Sequence, residues 1–194
     1  MSRGLGDVYK RQRKQLLDVV PNAGHLGVAD LERDFNVTVV TQNVDNLHER
    51  AGSTHVIHLH GELTKVCSSR DPYNPHFVKE LAPEEYEVKL GDKAGDGTQL
   101  RPFIVWFGES VPEIETAIRY VEQADIFVII GTSLNVYPAA GLLNYVPRAA
   151  EVYLIDPKPV DTHVMRPIHV IQKGASEGVK ELKALLAATQ PPLL

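Results

Sequence analysis

Most features that would announce a location or a stapled scaffold are scarce or absent in this sequence. Its single cysteine, Cys67, excludes an internal disulfide framework and any zinc site built mainly from thiolates. There is no run of about eighteen apolar residues, so no membrane-spanning helix is expected. Met1–Gln12 lack the apolar stretch of a secretory leader, and the cytoplasm is the expected address. An excess of basic residues is also missing. Twenty Lys and Arg stand against 25 Asp and Glu, a formal net charge of −5, which argues against a general nucleic-acid binder. Low-complexity blocks and internal repeats are absent too. What remains is 194 residues, 43% hydrophobic and 23% charged. That is enough for one domain with its own core and room for a small inserted lobe.

The N-terminus has an unusual wording. Asp7–Gln12 (DVYKRQ) is the translation of GAT GTG TAT AAG AGA CAG, the mosaic-end sequence of a transposase library adapter. Residues 1–12 are therefore expected to be a non-native, adapter-derived leader of a metagenomic fragment, with natural sequence beginning near Arg13. The plain alternative is a polar tail.

From there helix and strand patterns alternate. A helix is expected after Pro21-Asn22, carrying Leu26, Ala29 and Leu31, and short strands at Val37–Val40 and His55–Leu59. The stretch 66–100, with Pro72, Pro75, Pro83, Gly91, Gly95 and Gly97, shows no period and is expected to be an irregular inserted lobe, bounded at about 64–100. Ile104–Phe107 has the pattern of a strand. Ser110–Glu113 resembles a capping box with proline in the first turn, opening a helix with the apolar face Ile114, Ala117, Ile118 and Val121. Ile126–Ile130 is apolar throughout, as a parallel strand covered on both faces would be. Glu151–Ile155 and Ile168–Ile171 add strands, and Val179, Leu182, Leu185 and Leu186 mark a closing helix. The expected fold class is α/β, a Rossmann-like parallel sheet with helices on both faces.

In an open α/β sheet, ligands bind beyond the carboxyl ends of the strands. Three such ends carry polar clusters. They are Thr41-Gln42-Asn43-Val44-Asp45, Gly131-Thr132-Ser133 with Pro138 at an expected helix start, and Asp156-Pro157. Small residues before a helix suit a phosphate or ribose. Any one of them serves equally as an ordinary turn; three on one sheet edge favour a nucleotide. His58 and His60 share a face if their segment is a strand, and His60 adjoins Gly61. Histidine is the usual proton carrier near neutral pH. A zinc site of His55, His58, His60 and Cys67 is the rival reading, and partly exposed strand histidines the bland one. The G-x-G pairs Gly4/Gly6 and Gly95/Gly97 neither follow a strand nor open a helix, and so fail as dinucleotide fingerprints.

Taken together, four stretches resemble the sirtuin family of NAD-dependent protein-lysine deacylases. They are Thr41–His48, Leu59–Leu63, Pro102–Glu109 (PFIVWFGE) and Gly131–Pro138, in family order and spacing. The resemblance covers roughly Arg13 to Leu186. The wording Arg101–Glu109 with Val136–Gly141 is similar to a bacterial branch that includes class III desuccinylases and demalonylases. It implies an enzyme that uses NAD to remove acetyl, succinyl or malonyl groups from lysines, giving nicotinamide, O-acyl-ADP-ribose and free lysine. His60 would be the general base and Asn43 a second catalytic residue. Gln42, Asn43, Val44 and Asp45 would line the nicotinamide and ribose pocket. Gly131, Thr132 and Ser133 would hold ribose and phosphates, with Asp156, Pro157 and Ala175 at the adenosine end. Val105, Trp106, Phe107, Gly108 and Glu109, with Leu134 and Val136, would sandwich an acyl-lysine peptide as an added strand. The expected protein is a monomer with no nucleic-acid or membrane partner.

The sequence departs from the family pattern in three places. The zinc-bearing lobe of the family has two Cys-x-x-Cys pairs, whereas Cys67-Ser68-Ser69-Arg70 keeps one cysteine, so a zinc-free lobe and no bound metal are expected. The long-acid branch reads the acyl carboxylate with Tyr-x-x-Arg; here the stretch is Tyr9-Lys10-Arg11-Gln12. The family's first strand, its Gly-Ala-Gly loop and the arginine after it have no counterpart. Residues 13–194 are therefore expected to be an N-terminally truncated catalytic domain, close to inactive alone. A non-catalytic NAD-binding fragment is the alternative. A flavin or thiamine enzyme's nucleotide-binding domain is a third reading, opposed by His60-Gly61 and Phe107-Gly108-Glu109.

Overall fold

A computed structural model describes residues 2–85, 87–132, 139–159 and 166–189. Two units share the chain. One is Met1–Val20, Thr41–Asn46 and His58–Pro112; the other is Pro21–Val40, Leu47–Ile57 and Glu113–Leu194.

The second unit is α/β and Rossmann-like. Three apolar stretches, β6 (Ile126–Ile130), β7 (Glu151–Ile155) and β8 (His169–Ile171), form a parallel sheet in that order. The apolar residues of β7 alternate between faces. Tyr153 and Ile155 join Val28 and Leu31 from α2 (Ala23–Asp30) and the turn after it, and Val179, Leu182 and Leu186 from α5 (Ala175–Thr189). Val152 and Leu154 point the other way and are equally buried, so both faces of β7 are covered. Only Ile129 of β6 is buried, so the strand covered on both faces is not Ile126–Ile130, as expected, but its neighbour β7. Asn22 caps α2, accepting from the Gly24 and His25 N–H groups. Arg166 donates to three carbonyls, those of Val146, Pro147 and Ala150, and pins the chain that leads into β7. Leu26 and Leu185, expected on helix apolar faces, are exposed, while Val28 and Leu186 turn inward.

The helix α4 (Ile114–Val121) forms and buries Ala117 and Val121, but without the expected capping box. Its N-cap is Glu113, with no side-chain cap. Ser110 instead accepts, through its carbonyl, from the Tyr73 hydroxyl.

In the first unit, α1 (Ser2–Asp18) lays Arg13 and Leu16 inward. The supposed irregular lobe is more regular than its composition. An eight-residue strand, β3 (Gly61–Ser68), pairs antiparallel with β4 (Lys79–Glu80) and β5 (Leu100–Ile104). Its period was hidden because the register shifts between Glu62 and Val66, which breaks the alternation of faces. The strand β5 stops at Ile104, three residues short of the expected Phe107. Two further short strands, β1 (Val39–Thr41) and β2 (Val56–His58), pair with each other. Among the described residues, no helix is long and apolar enough to cross a membrane.

Candidate functional site

The loop after β1 is held by its own main chain, one carbonyl after another. Thr41 O accepts from Leu59 N (2.9 Å), Gln42 O meets His60 Nδ1 (3.0 Å), Asn43 O meets His58 Nδ1 (3.3 Å), and Val44 O accepts from Leu63 N (2.6 Å). Thr41 Oγ1 also accepts from Asn43 N at 3.1 Å. The β-branched strand that precedes the loop explains its entry, but only β2 and β3 explain its shape. The Asn43 side chain is exposed; Gln42, Val44 and Asp45 are half-buried.

His60 sits in the turn between β2 and β3, so it is not on one strand face with His58. A carbonyl oxygen only accepts, so the contact with Gln42 puts the proton on Nδ1. Nε2 then keeps its lone pair and is the nitrogen able to take a proton. The His60 carbonyl accepts from Val105 N at 2.9 Å. The histidine and the start of the Val105–Glu109 stretch are thus one hydrogen bond apart.

Asn46 was not singled out by its sequence position. Its Oδ1 is buried with no hydrogen-bond partner among the described residues. A buried unsatisfied acceptor costs about 1–3 kcal/mol, and a donor from a bound molecule would relieve that cost. No sequence signal separates Asn46 from its polar neighbours; only its burial does.

In the second unit, Gly131 follows β6 with φ +63, and no atom of the described residues lies within 4 Å of where a Cβ would be. The peptide N–H donates to Ile155 O at 2.9 Å. A backbone turn open on its side-chain face fits the close approach of a sugar or phosphate. Thr132 is half-buried beside it. Asp156 follows β7 and accepts from Lys158 N at 2.8 Å, with Pro157 exposed. Ala175 opens α5 and lies against Gly24 of α2. Ser133, Leu134, Val136 and the expected helix start at Pro138 lie outside the described residues.

Val105 and Trp106 are half-buried, and Phe107 is the most exposed large apolar side chain among the described residues, at 110%. Trp106–Glu109 is a turn closed by Glu109 N donating to Trp106 O at 2.9 Å. The Arg101 guanidinium holds the Glu109 carboxyl below the usual carboxylate range.

A structural zinc site needs four ligands, and the four residues of the rival zinc reading have other partners. His55 packs on Tyr120, His58 and His60 face the Asn43 and Gln42 carbonyls, and the Cys67 thiol points at Pro102 O. Among the described residues, no group of three or more His, Cys, Asp or Glu is placed to hold a metal. A polar knot ties the lobe at this point instead. The fully buried Ser68 hydroxyl donates to Asp96 at 2.7 Å and accepts from the Arg70 and Asp71 N–H groups, both at 3.0 Å. Asp96 also accepts from the Thr98 hydroxyl at 2.7 Å.

The hydroxyls of Ser68 and Thr98 pull the Asp96 carboxyl down to about 2. Its contribution to stability is complete above the ordinary value of about 3.9 and fades as pH falls towards 2. Ser68→Ala is expected to cost about 1–3 kcal/mol, by the orphaned-partner rule, read as a lower Tm at pH 7. Dialysis against a chelator is expected to leave Tm unchanged. A chelator-dependent fall would return a metal to the lobe.

The chain has well-matched relatives. The Sir2 family model matches residues 6–138. An NAD-dependent protein deacylase of Bacteroides thetaiotaomicron is 82% identical over 178 residues, which are 92% of this chain and 76% of that protein. One from Helicobacter pylori strain 26695 is 46% identical over 91% of this chain and 74% of its own length. Among solved structures, a Sir2 homolog–NAD complex superposes with a TM-score of 0.78 at 34% identity, covering 94% of this chain and 71% of that one. A Sir2–p53 peptide–NAD+ structure does so at 0.71 and 27%, covering 90% and 74%.

Proposed function

The chain belongs to the Sir2 family, and on that premise we propose that it is an NAD-dependent protein-lysine deacylase. It transfers the acyl group of a modified lysine to give nicotinamide, O-acyl-ADP-ribose and free lysine. The observation that carries this reading is His60, with Nδ1 committed to the Gln42 carbonyl, Nε2 left as a base, and its own carbonyl bonded to Val105.

NAD, when bound, supplies an electrophilic ribose carbon and nicotinamide as a leaving group. The amide oxygen of the acyl-lysine is a weak nucleophile, so alignment is the protein's main contribution. In this reading Gln42, Val44 and Asp45 line the nicotinamide and ribose end, and Asn43 orients the reacting groups. His60 Nε2 takes the proton from a ribose hydroxyl. Gly131 and Thr132, with Ser133, hold ribose and phosphate. Asp156, Pro157 and Ala175 serve the adenosine end. Val105–Gly108, with Leu134 and Val136, receive the peptide as an added strand, and Glu109 closes their turn. The finer reading is a cytoplasmic monomer that engages neither nucleic acid nor membrane; the net charge of −5 supports its part on nucleic acid.

The test, made on a chain extended to the full length of its relatives because the chain alone is expected to be close to inactive, is nicotinamide release at saturating NAD, with and without an acetyl-lysine peptide. Peptide-dependent release is expected; release indifferent to peptide, or NAD binding with no release, would select a nucleotide-binding role instead.

The acyl group follows from charge. A buried succinyl carboxylate needs a bidentate arginine. Gln12 stands in that register, and Arg13 is unavailable, since it donates to the Leu63 and Lys65 carbonyls from a site 5% exposed. Acetyl-lysine is therefore expected to be turned over at least as well as succinyl-lysine. Gln12→Arg should raise the succinyl-to-acetyl ratio of kcat/KM by roughly tenfold, the worth of one charge-assisted pair. A strong succinyl preference in the unaltered chain would contradict this register.

A further inference from the structure

The turn after β5 is held more firmly than its exposure requires. Arg101 and Glu109 form a two-pronged ion pair, Nη1 to Oε1 at 2.7 Å and Nη2 to Oε2 at 3.0 Å. The arginine side chain is only 14% exposed and the glutamate 33%. The same carboxylate accepts from Trp106 N at 3.1 Å, while Glu109 N donates back to Trp106 O at 2.9 Å. The Arg101 guanidinium also lies 5.3 Å from the centre of the Trp106 ring, and Tyr9 stacks on that ring at 6.3 Å. Trp106 is therefore gripped by its N–H, its carbonyl and its ring. Phe107, the next residue, is wholly exposed, and Gly108 at φ +90 completes the reversal.

An exposed ion pair is worth little, typically under about 1 kcal/mol. This one differs in geometry, since a bidentate, largely buried arginine fixes a carboxylate that in turn fixes a backbone N–H. With both carboxylate oxygens engaged by Arg101 and one shared with Trp106, Glu109 has its hydrogen bonding directed back into the turn. Its side chain was expected to line the peptide. The geometry gives it a different task.

We propose that Arg101 and Glu109 are positioning residues for the acyl-lysine peptide. They do not bind it; they hold Trp106 and the turn that follows it, so that Val105–Gly108 is already ordered before a strand arrives. This rests on the deacylase reading above. A strand added to a preformed edge gains its hydrogen bonds without first having to order the edge, and that ordering cost is what the clamp removes in advance. The consequence is selective. Loosening the clamp should weaken peptide binding, leave NAD binding alone, and change turnover little once peptide saturates.

The test uses Glu109→Gln, Arg101→Met and Arg101→Lys, and two independent readouts. Trp106 is the only tryptophan of the chain, so its emission reports the clamp directly, whatever the activity. Glu109→Gln and Arg101→Met are expected to red-shift that emission and to expose the indole to acrylamide. They should raise the peptide KM by about tenfold, equivalent to one ordered contact of about 1.4 kcal/mol, with kcat within about threefold and the KM for NAD unchanged. Arg101→Lys, which keeps the charge but not the fork, should recover part of both effects. Unchanged emission in folded variants, or a fall in kcat at constant peptide KM, would overturn the proposal. The kinetics are read in a chain extended to the full length of its relatives; if that chain shows no peptide-dependent NAD turnover, the deacylase reading fails on its own, and the Trp106 spectra alone decide whether the clamp exists.

Discussion

Replacing His60 by alanine is expected to lower kcat for deacylation by about 10²–10⁴-fold, the usual loss on removing a positioned general base. The measurement is made on a chain of the full length of its relatives, at saturating NAD and acetyl-lysine peptide. Affinity for NAD should change little, because the imidazole acts on a proton that moves only during reaction. The structure adds a condition. His60 Nδ1 meets the Gln42 carbonyl, so the substitution also strips that carbonyl of its partner. A small fall in Tm is therefore expected alongside the kinetic loss, and it is recorded separately so that unfolding is not mistaken for lost chemistry. Gln42 keeps further interactions that help hold the loop. Turnover within a few-fold of the unaltered protein would remove His60 from the role of base.

The largest expected effect on stability comes from the next residue. Gly61 has φ +80, and a Cβ there would sit 2.1 Å from the Phe103 carbonyl oxygen, 2.9 Å from its carbon and 3.1 Å from Ile104 Cα. All three are main-chain atoms of β5, directly across the register pair Gly61↔Ile104. They cannot rotate aside as a side chain would. Gly61→Ala must therefore separate β3 from β5 locally while also holding a left-handed backbone, and the latter alone costs about 1–2 kcal/mol. A total loss of about 3 kcal/mol or more is expected in chemical denaturation, at the upper end for single substitutions. Gly97→Ala provides the control, since Gly97 has φ +76 but nothing within 4 Å of the added carbon. It should cost only the conformational part. Equal losses from the two substitutions would show that β3 and β5 do not approach so closely. Because His60 precedes Gly61 and bonds Val105 through its carbonyl, Gly61→Ala should also impair activity.

The two effects arise from different kinds of information, and the misreadings of the sequence follow the same division. The apolar run Ile126–Ile130 was plain as a parallel strand, but the strand buried on both faces is its neighbour Glu151–Ile155, because burial depends on which elements cover each face and not on the run itself. The antiparallel strand Gly61–Ser68 was hidden, because its register shift between Glu62 and Val66 erases the two-residue period on which recognition depends. Ser110–Glu113 has the letters of a capping box, yet the helix starts later and Ser110 faces Tyr73, a partner 37 positions away. Likewise Ser68 stood only as a spacer in the incomplete pair Cys67-Ser68-Ser69-Arg70, and only the fold brings Asp96 and Thr98 to its hydroxyl.

By itself, the sequence determined the α/β class, the stretches that carry family chemistry, and His60 and Gln42–Asp45 as the residues to examine. These follow from composition, local period and short motifs, which act between near neighbours. Only the tertiary structure decided which nitrogen of His60 is free, that Arg13 is already engaged by two carbonyls, that the Asn46 Oδ1 is buried without a partner among the described residues, and that Glu109 turns back to grip Trp106. Most of these depend on atoms brought together from distant parts of the chain, and all depend on donor direction and burial. A hydrogen bond exists or not according to angles and tenths of an ångström, and no residue pattern encodes those until the chain has closed on itself.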